Sequence, residues 1–286
     1  MKIGLGTWTI GGHTEANPDN DDEKDINTIK YAITHGISHI DTAENYANGK
    51  CEELIGEAIK DFEREKLFIA TKVHKNNLSY SDVIKSCKAS AARLGVDYLD
   101  LYYVHKPNPN IPVHETVKAL NELLESGLIK NVGLSNAGIE TIKQYSQSLI
   151  KPIYAVQNQY SLVCRESQMK GVIEYCKEFN IQFFAWRPIK LSYPEKTSKE
   201  SNADTYPIIG EIAKKYNKTN IQIAAKWLTQ QKNVNVLFKS SNPKHIDEII
   251  ETENFKLSQD DWDKLDKEFP VQKSQSFIGT DYMNIL

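Results

Sequence analysis

The sequence has no long hydrophobic run, and this excludes several classes of protein. No stretch approaches the roughly 18 consecutive apolar residues that a membrane-spanning helix needs. The first residues, MKIGLGTWTIGG, lack an extended apolar segment after a basic start, so they do not have the pattern of a signal peptide. We therefore expect no membrane partner, and a cytoplasmic location follows by default.

Clustered cysteines, paired metal ligands and excess positive charge are also missing. The four cysteines are scattered without a CxxC pair, which favours buried, reduced thiols over a zinc site or a disulfide framework. His35 and His39 are separated by Gly36, where a helix should end, so we expect no shared helical face and no metal. The net charge of −3 gives no sign of a nucleic-acid partner.

Apolar strand-like runs recur along the chain and alternate with helical patterns. The runs are KIGLGT, ISHID, KLFIATK, LDLYYVH, KNVGLS, YAVQN, IQFFAW and NVLFK. Helical periodicity lies between them, as in DINTIKYAITHG, and Gly36, Gly95 and Gly127 predict helix ends. Eight alternating strands and helices indicate parallel pairing through crossovers. A chain of 286 residues with this pattern predicts one α/β domain over residues 1–286, a (β/α)8 TIM barrel.

Two doubly wound halves are the competing architecture. Gly4 and Gly6 begin a GxG pair, but Thr9 occupies the position of the third glycine in a dinucleotide fingerprint. No linker long enough to separate two domains is visible, so the single barrel is favoured. Two segments are additional to the eight strands and helices of such a barrel: a polar loop at 191–207, and a helix and irregular tail at 257–286. Loops 191–207 and 270–286 are the candidates to close a pocket.

Reactive side chains follow three neighbouring predicted strands. Asp41, Lys72 and His105 end the second, third and fourth strands, and Tyr46 lies in the loop after Asp41. Each alone has an ordinary explanation, as a turn cap, a solvated lysine or a buried histidine. All four at the carboxyl ends of adjacent strands, where barrel active sites lie, predict a catalytic site.

These four residue types suit proton donation to a developing alkoxide. A tyrosine with a pKa of about 10 is a sluggish acid at neutral pH. A nearby ammonium group lowers that pKa, and a carboxylate keeps a buried lysine charged. We therefore predict a relay in which Asp41 keeps Lys72 charged and Lys72 lowers the pKa of Tyr46. His105 can hydrogen-bond the same carbonyl oxygen.

Six motifs, taken in order, resemble those of a known family. DTAENY, ATK, YVHKP, VGLSN, VQNQY and FKSSNPKHI span the chain and together resemble the signatures of the aldo-keto reductase family. The resemblance implies a (β/α)8 barrel that transfers hydride from a nicotinamide cofactor to an aldehyde or ketone, without metal or flavin. It also implies that Asp41, Tyr46, Lys72 and His105 are the catalytic residues, with Tyr46 as the proton donor.

The resemblance further implies where the cofactor and substrate bind. Ser135, Asn136 and Gln157 correspond to residues that bind the nicotinamide carboxamide, and Trp186 to the residue on which the ring stacks. NADPH is the implied cofactor, with NADH as a weaker alternative. The implied cofactor-binding residues are Thr7, Trp8, Ser135, Asn136, Gln157, Trp186, Arg187, Pro188, Ile189, Lys239, Ser240, Ser241, His245 and Glu248. The substrate pocket is expected to include Trp8, His74 and Lys106.

The motif FKSSNPKHI also predicts an anion site on physical grounds. Lys239 ends the eighth strand, Asn242 is a suitable N-cap and Pro243 fits the first helical position. A helix N-terminus with free amide groups and a lysine attracts phosphate. An ordinary capped helix would explain the Asn–Pro pair but not Lys239 at the same end.

The sequence departs from the family pattern at three positions. His245 stands where the family often has an arginine that grips the 2′-phosphate, and Ile249 follows Glu248 where an asparagine is frequent. Both changes weaken the expectation of strict NADPH selectivity. Lys106 replaces a frequent tryptophan after the catalytic histidine, which predicts a more polar substrate mouth.

Two other function classes stay open at this point. One is a regulatory, redox-sensing subunit similar to the potassium-channel β-subunits, which keep the same four residues. The other is a cofactor-free barrel isomerase of sugar phosphates, which would use the lysine and the histidine. We favour the reductase, with a small-molecule carbonyl substrate, as a monomer or small oligomer.

Overall fold

Parallel strands close into a barrel in the computed structural model of the protein, which describes residues 2–189 and 206–273. Each strand pairs with the next along the chain, and the last pairs with the first through Ile3 opposite Val236 and Leu5 opposite Phe238. The predicted (β/α)8 barrel is therefore confirmed. The strands are β1 Ile3–Gly6, β2 His39–Asp41, β3 Phe68–Val73, β4 Leu101–Val104, β5 Val132–Ser135, β6 Ala155–Gln159, β7 Gln182–Trp186 and β8 Val234–Phe238.

Helices follow the strands and surround the barrel. They are α1 Asp22–Thr34, α2 Lys50–Ile59, α3 Tyr80–Leu94, α4 Val113–Glu125, α5 Ile139–Ser146, α6 Glu166–Met169, α7 Val172–Glu178, α8 Pro207–Tyr216, α9 Asn220–Thr229, α10 Pro243–Ile250 and α11 Gln259–Glu268. Short 3-10 turns lie at Tyr46–Gly49, Arg64–Lys66, Glu251–Asn254 and Val271–Lys273.

The predicted helix boundaries have the expected physical causes. Gly95 ends α3 in the left-handed conformation at φ 64°, which glycine adopts without steric cost. The Asn242 side chain accepts a backbone N–H group at the start of α10, as predicted, and the Ser258 side chain does the same at the start of α11. His35 follows α1 whereas His39 begins β2, so the two histidines do not share a helical face.

The buried apolar residues form two separate clusters. The larger lies between the strands and the helices. The smaller consists of six residues that pack together as a separate cluster: Ala70, Leu101, Tyr103, Ala155, Phe184 and Leu237. Gly133 gives the Tyr103 ring its space, because a Cβ at that position would come within 2.4 Å of ring atoms. Lys72 Nζ lies 5.9 Å from the centre of the same ring, so the barrel's charged groups border this apolar cluster.

Several other predictions can be compared with the described residues. All four cysteines are buried, as expected, and none of them is in a disulfide. Within the described ranges, no helix is long and apolar enough to cross a membrane. Of the polar loop 191–207 only Tyr206 and Pro207 are described, and residues 274–286 of the predicted tail also lie outside. Closure of the pocket by these two segments stays a prediction.

Candidate active site

An ion pair between Asp41 and Lys72 lies at the carboxyl end of the barrel. Lys72 Nζ donates to Asp41 Oδ1 at 2.6 Å and to the Thr42 carbonyl oxygen at 2.7 Å. The lysine is fully buried and Asp41 is only 3% exposed. Burial alone lowers the pKa of Lys72, but Asp41 and Tyr46 raise it above the ordinary value. The lysine is therefore a fixed positive charge at neutral pH.

Tyr46 is presented by a turn in an unusual backbone conformation. It begins the 3-10 turn at Tyr46–Gly49, in which Ala47 has φ 48° and Asn48 has φ 52°. Alanine rarely adopts this left-handed region, yet Ala47 is fully buried there. Its N–H donates to the His13 carbonyl oxygen at 2.6 Å. Surrounding contacts thus hold the backbone that positions the phenol.

The phenol of Tyr46 is close to the ammonium group, but its pKa is not lowered overall. Lys72 Nζ lies 5.2 Å from the centre of the Tyr46 ring. Burial raises the pKa of Tyr46, and the opposing effect of Lys72 is smaller, so the pKa lies above its ordinary value. The prediction that the lysine lowers the pKa is correct for its own contribution and wrong for the net direction, because desolvation of the phenolate dominates.

His105 follows β4 and faces Tyr46. The two ring centres are 5.7 Å apart in an edge-on arrangement. Burial lowers the pKa of His105 well below its ordinary value, and the charge on Lys72 lowers it further. Nδ1 has no hydrogen-bond partner among the described residues. The imidazole is therefore neutral and can donate one hydrogen bond to a ligand.

A cavity of about 600 Å³ opens above these groups. Asp41, Tyr46 and His105 all line it, whereas Lys72, the ion-pair partner of Asp41, is not among the lining residues. The predicted cofactor residues that line it are Thr7, Trp8, Ser135, Asn136, Gln157, Trp186, Arg187, Pro188, Ile189 and Lys239. Most of the predicted site is thus brought together around one space.

Besides Lys72, six predicted residues lie away from the described lining of this cavity: His74, Lys106, Ser240, Ser241, His245 and Glu248. The Glu248 carboxylate accepts a hydrogen bond from the Thr219 hydroxyl group at the start of α9. The Ser240 hydroxyl group accepts the Asn242 N–H at 3.0 Å. These two side chains have partners within the protein, and ligand roles for all six remain predictions.

Five lining residues were not predicted: Gly6, Thr9, Asn45, Leu237 and Phe238. Asn45 lies inside the DTAENY motif, so its position next to Tyr46 in the sequence could have predicted its place in the cavity lining. Leu237 and Phe238 read only as apolar strand residues, since a sequence does not show which strand residues face a pocket. Thr9 has φ 78°, a conformation that nothing in the local sequence indicates.

Three polar side chains form one wall of the cavity. Asn136 Nδ2 donates to the His105 carbonyl oxygen at 3.0 Å and to Ser135 Oγ at 3.1 Å. Gln157 Nε2 donates to Asp41 Oδ2 at 2.7 Å. Asn136 has φ 57°, and its N–H donates to the Gln157 carbonyl oxygen. This neutral donor and acceptor set suits the carboxamide of a nicotinamide.

Two positively charged side chains are also part of the cavity lining. Arg187 and Lys239 both line it, and α10 begins shortly after Lys239. The Arg187 guanidinium carbon lies 5.6 Å from the centre of the Trp186 ring, whose Nε1 has no partner among the described residues. Cations near a helix N-terminus favour an anion such as a phosphate. An aromatic ring, polar amides and these two cations together fit a dinucleotide.

Residues 2–268 match the family model described as the Aldo/keto reductase family. The chain belongs to this family. Among its relatives, the glyoxal reductase of Bacillus subtilis (strain 168) is 33% identical, over 92% of this chain and 87% of that protein.

Solved structures of the family agree with the fold. A thermostable aldo-keto reductase in complex with the inhibitor epalrestat is 36% identical with a TM-score of 0.88, over 93% of this chain and 94% of that one. An aldo-keto reductase from Klebsiella pneumoniae in complex with NADPH is 26% identical with a TM-score of 0.85, over 98% of this chain and 94% of that one.

Proposed function

We propose that the protein reduces aldehydes or ketones to alcohols with NADPH, and that Tyr46 donates the proton. The observation that carries the proposal is the arrangement of Tyr46, which lines the cavity beside the buried pair of Lys72 and Asp41. Relatives that include a glyoxal reductase and an NADPH-bound aldo-keto reductase support it.

Each of the four groups has a distinct task in this reaction. Tyr46 donates its proton to the carbonyl oxygen as negative charge develops there. Lys72 stabilises the phenolate that is left, and Asp41 keeps the ammonium group in place. Neutral His105 donates a hydrogen bond to the same oxygen and orients the substrate.

The residues along the cavity would hold the dinucleotide from end to end. Ser135, Asn136 and Gln157 would bind the carboxamide, and Trp186 would stack on the ring. Arg187 and Lys239 would face the phosphates. When bound, NADPH supplies the hydride for the carbonyl carbon.

The test is a panel of sugars, short aldehydes, aromatic aldehydes and diketones, assayed by oxidation of NADPH. We expect at least one class to be reduced by the wild-type protein and not by Tyr46→Phe. Binding of NADPH without turnover of any class would favour the regulatory subunit. Absence of NADPH binding would contradict the reductase and favour the isomerase.

A further inference from the structure

A hydrogen bond between Gln157 and Asp41 crosses the interior of the barrel. Gln157 lies on β6 and Asp41 on β2, and three strands separate them in each direction around the closed ring. Nε2 of the glutamine donates to Oδ2 of the aspartate at 2.7 Å, and both residues are 3% exposed. This bond therefore forms in a water-poor space, where hydrogen bonds to charged groups are strong.

The bond completes the coordination of the Asp41 carboxylate. Oδ1 accepts from Lys72 and Oδ2 accepts from Gln157, so each oxygen has a donor. A buried carboxylate oxygen that loses its donor keeps the full cost of desolvation. A neutral amide supplies that donor without adding a charge that would compete with Lys72.

The other end of the same amide remains for a ligand. Gln157 lines the cavity beside Ser135, its neighbour in the register between β5 and β6. One N–H of the amide is used by Asp41, and the carbonyl oxygen is the acceptor that can receive a ligand N–H. The side chain thus contacts Asp41 through its amide N–H and can contact the predicted carboxamide through its carbonyl oxygen.

We propose that Gln157 is a positioning residue, which holds Asp41 against Lys72 and so acts on the Tyr46 proton. The inference rests on the proposed function, because it assigns Gln157 a role in the same reaction beyond contact with the cofactor. Without the amide donor, the charged form of the Asp41–Lys72 pair is less stable. Less positive charge then faces Tyr46, and its phenolate is harder to form.

The ionisable groups near the relay come from the turn after β2, from α2, from β3, and from β4 and the residue after it: Tyr46, Cys51, Lys72, Tyr103 and His105. The Gln157 amide also lowers the pKa of Tyr103, but burial has the larger effect and raises that pKa well above its ordinary value. Cys51 is fully buried, and burial raises the pKa of its thiol to about 12. Loss of the amide would raise the pKa of Tyr103 further, so we attribute a shift of the alkaline decline to the altered support of Asp41.

Gln157→Met removes the donor and approximately keeps the shape of the side chain. Without any cofactor, we expect a melting temperature lower by roughly 3–8 °C, because Asp41 Oδ2 is left unsatisfied. Ser135→Ala is the matched control, since it removes a predicted carboxamide contact and leaves Asp41 intact. If Gln157 served only the cofactor, an apolar residue in this buried position would leave the apoprotein as stable as the control.

The pH dependence of kcat is the second measurement. At saturating NADPH and substrate, we expect the alkaline decline of kcat for Gln157→Met to move up by about one pH unit. Ser135→Ala should weaken NADPH binding and leave this decline in place. Profiles of the two variants that coincide, together with equal melting temperatures, would overturn the inference.

Gln157→Leu is the second variant, for the case that Gln157→Met does not fold. It also removes the donor to Asp41 Oδ2, with a shorter side chain that needs less space. We again expect the alkaline decline of kcat to be displaced upward relative to Ser135→Ala. A decline at the wild-type pH in a folded Gln157→Leu would contradict the positioning role. If wild-type protein reduces no carbonyl, the proposed function fails, and the cofactor-free melting temperatures still decide the link to Asp41.

Discussion

The ammonium group of Lys72 lies 5.2 Å from the centre of the Tyr46 ring, yet the pKa of Tyr46 is above its ordinary value. Burial disfavours the phenolate more than the lysine favours it. In the cofactor-free protein the phenol therefore keeps its proton throughout the neutral range. That state suits an acid that must deliver its proton only when charge develops on a substrate.

Replacing Tyr46 by Phe should remove most of the turnover and little of the cofactor binding. The hydroxyl group gives its proton in the transition state, and general acid catalysis is typically worth about 10²–10⁴-fold. The measurements are kcat with the best carbonyl of the panel and the dissociation constant of NADPH. A variant that kept more than half of the wild-type kcat would exclude Tyr46 as the proton donor.

Replacing Lys72 by Met should lower kcat severely and move its alkaline decline to higher pH. The sign follows from the lysine's own effect: its positive charge lowers the pKa of Tyr46, so its removal raises that pKa further. Asp41 would also be left buried without its ion-pair partner, which typically costs about 3–5 kcal/mol of stability. Lys75→Met, at an exposed position three residues away, is the control for a lost surface charge. An unchanged rate and pH profile in Lys72→Met would refute the relay.

The preference for NADPH over NADH should be largest in mild acid and shrink as the pH rises. His245 and Lys239 are both exposed, and His245 lies in the first turn of α10. Histidine side chains in general gain a positive charge only in mild acid, whereas lysine side chains are charged throughout this range. The measurement is the ratio of the two dissociation constants between about pH 5.5 and 8.5, in wild type and His245→Gln. The 2′-phosphate also ionises near this range, so only the slope that His245→Gln removes is informative. Equal slopes would exclude His245, and tighter NADH binding throughout would exclude both residues.

The effect of a substitution at Ala47 should depend on whether the new residue tolerates a positive φ, and not on its size alone. The residue is buried with φ 48°, where a β-branched side chain is strongly disfavoured. Ala47→Gly relieves this strain but loses more chain entropy, so we expect a stability within about 1 kcal/mol of wild type. Ala47→Val should lose more than about 2 kcal/mol and much of the activity, because the turn that presents Tyr46 is distorted. Chemical unfolding and kcat are the measurements, and a stable, active Ala47→Val would contradict the assigned strain.

The parts of the molecule that were predictable from the sequence depend on local patterns. The apolar runs predicted the strands, and Gly95 and Asn242 marked helix boundaries because each acts within a few residues of itself. Asp41, Tyr46 and His105 could be grouped because the carboxyl ends of neighbouring parallel strands meet at one face. Their precise roles remain predictions that the proposed experiments test.

The parts that were not predictable depend on distance across the fold and on burial. Gln157 and Asp41 are 116 residues apart, and only the closed ring brings them into hydrogen-bond contact. The net direction of the Tyr46 pKa required a comparison of burial with the nearby charge. The conformation of Ala47 and Thr9 had no sequence signal, since both residues usually avoid positive φ.

The proposed catalytic residues lie in the first half of the sequence, and most of the predicted cofactor residues lie in the second half. Asp41, Tyr46, Lys72 and His105 belong to the first four strands and their loops, whereas the amides and cations of the predicted dinucleotide site lie in or after the last four. Two amide side chains join the two sets: Gln157 bonds Asp41, and Asn136 bonds the His105 carbonyl oxygen. A chimera that takes its second half from a related barrel should therefore change its preference between NADPH and NADH. Proton donation by Tyr46 should be unaffected in this chimera, provided that both amides are retained.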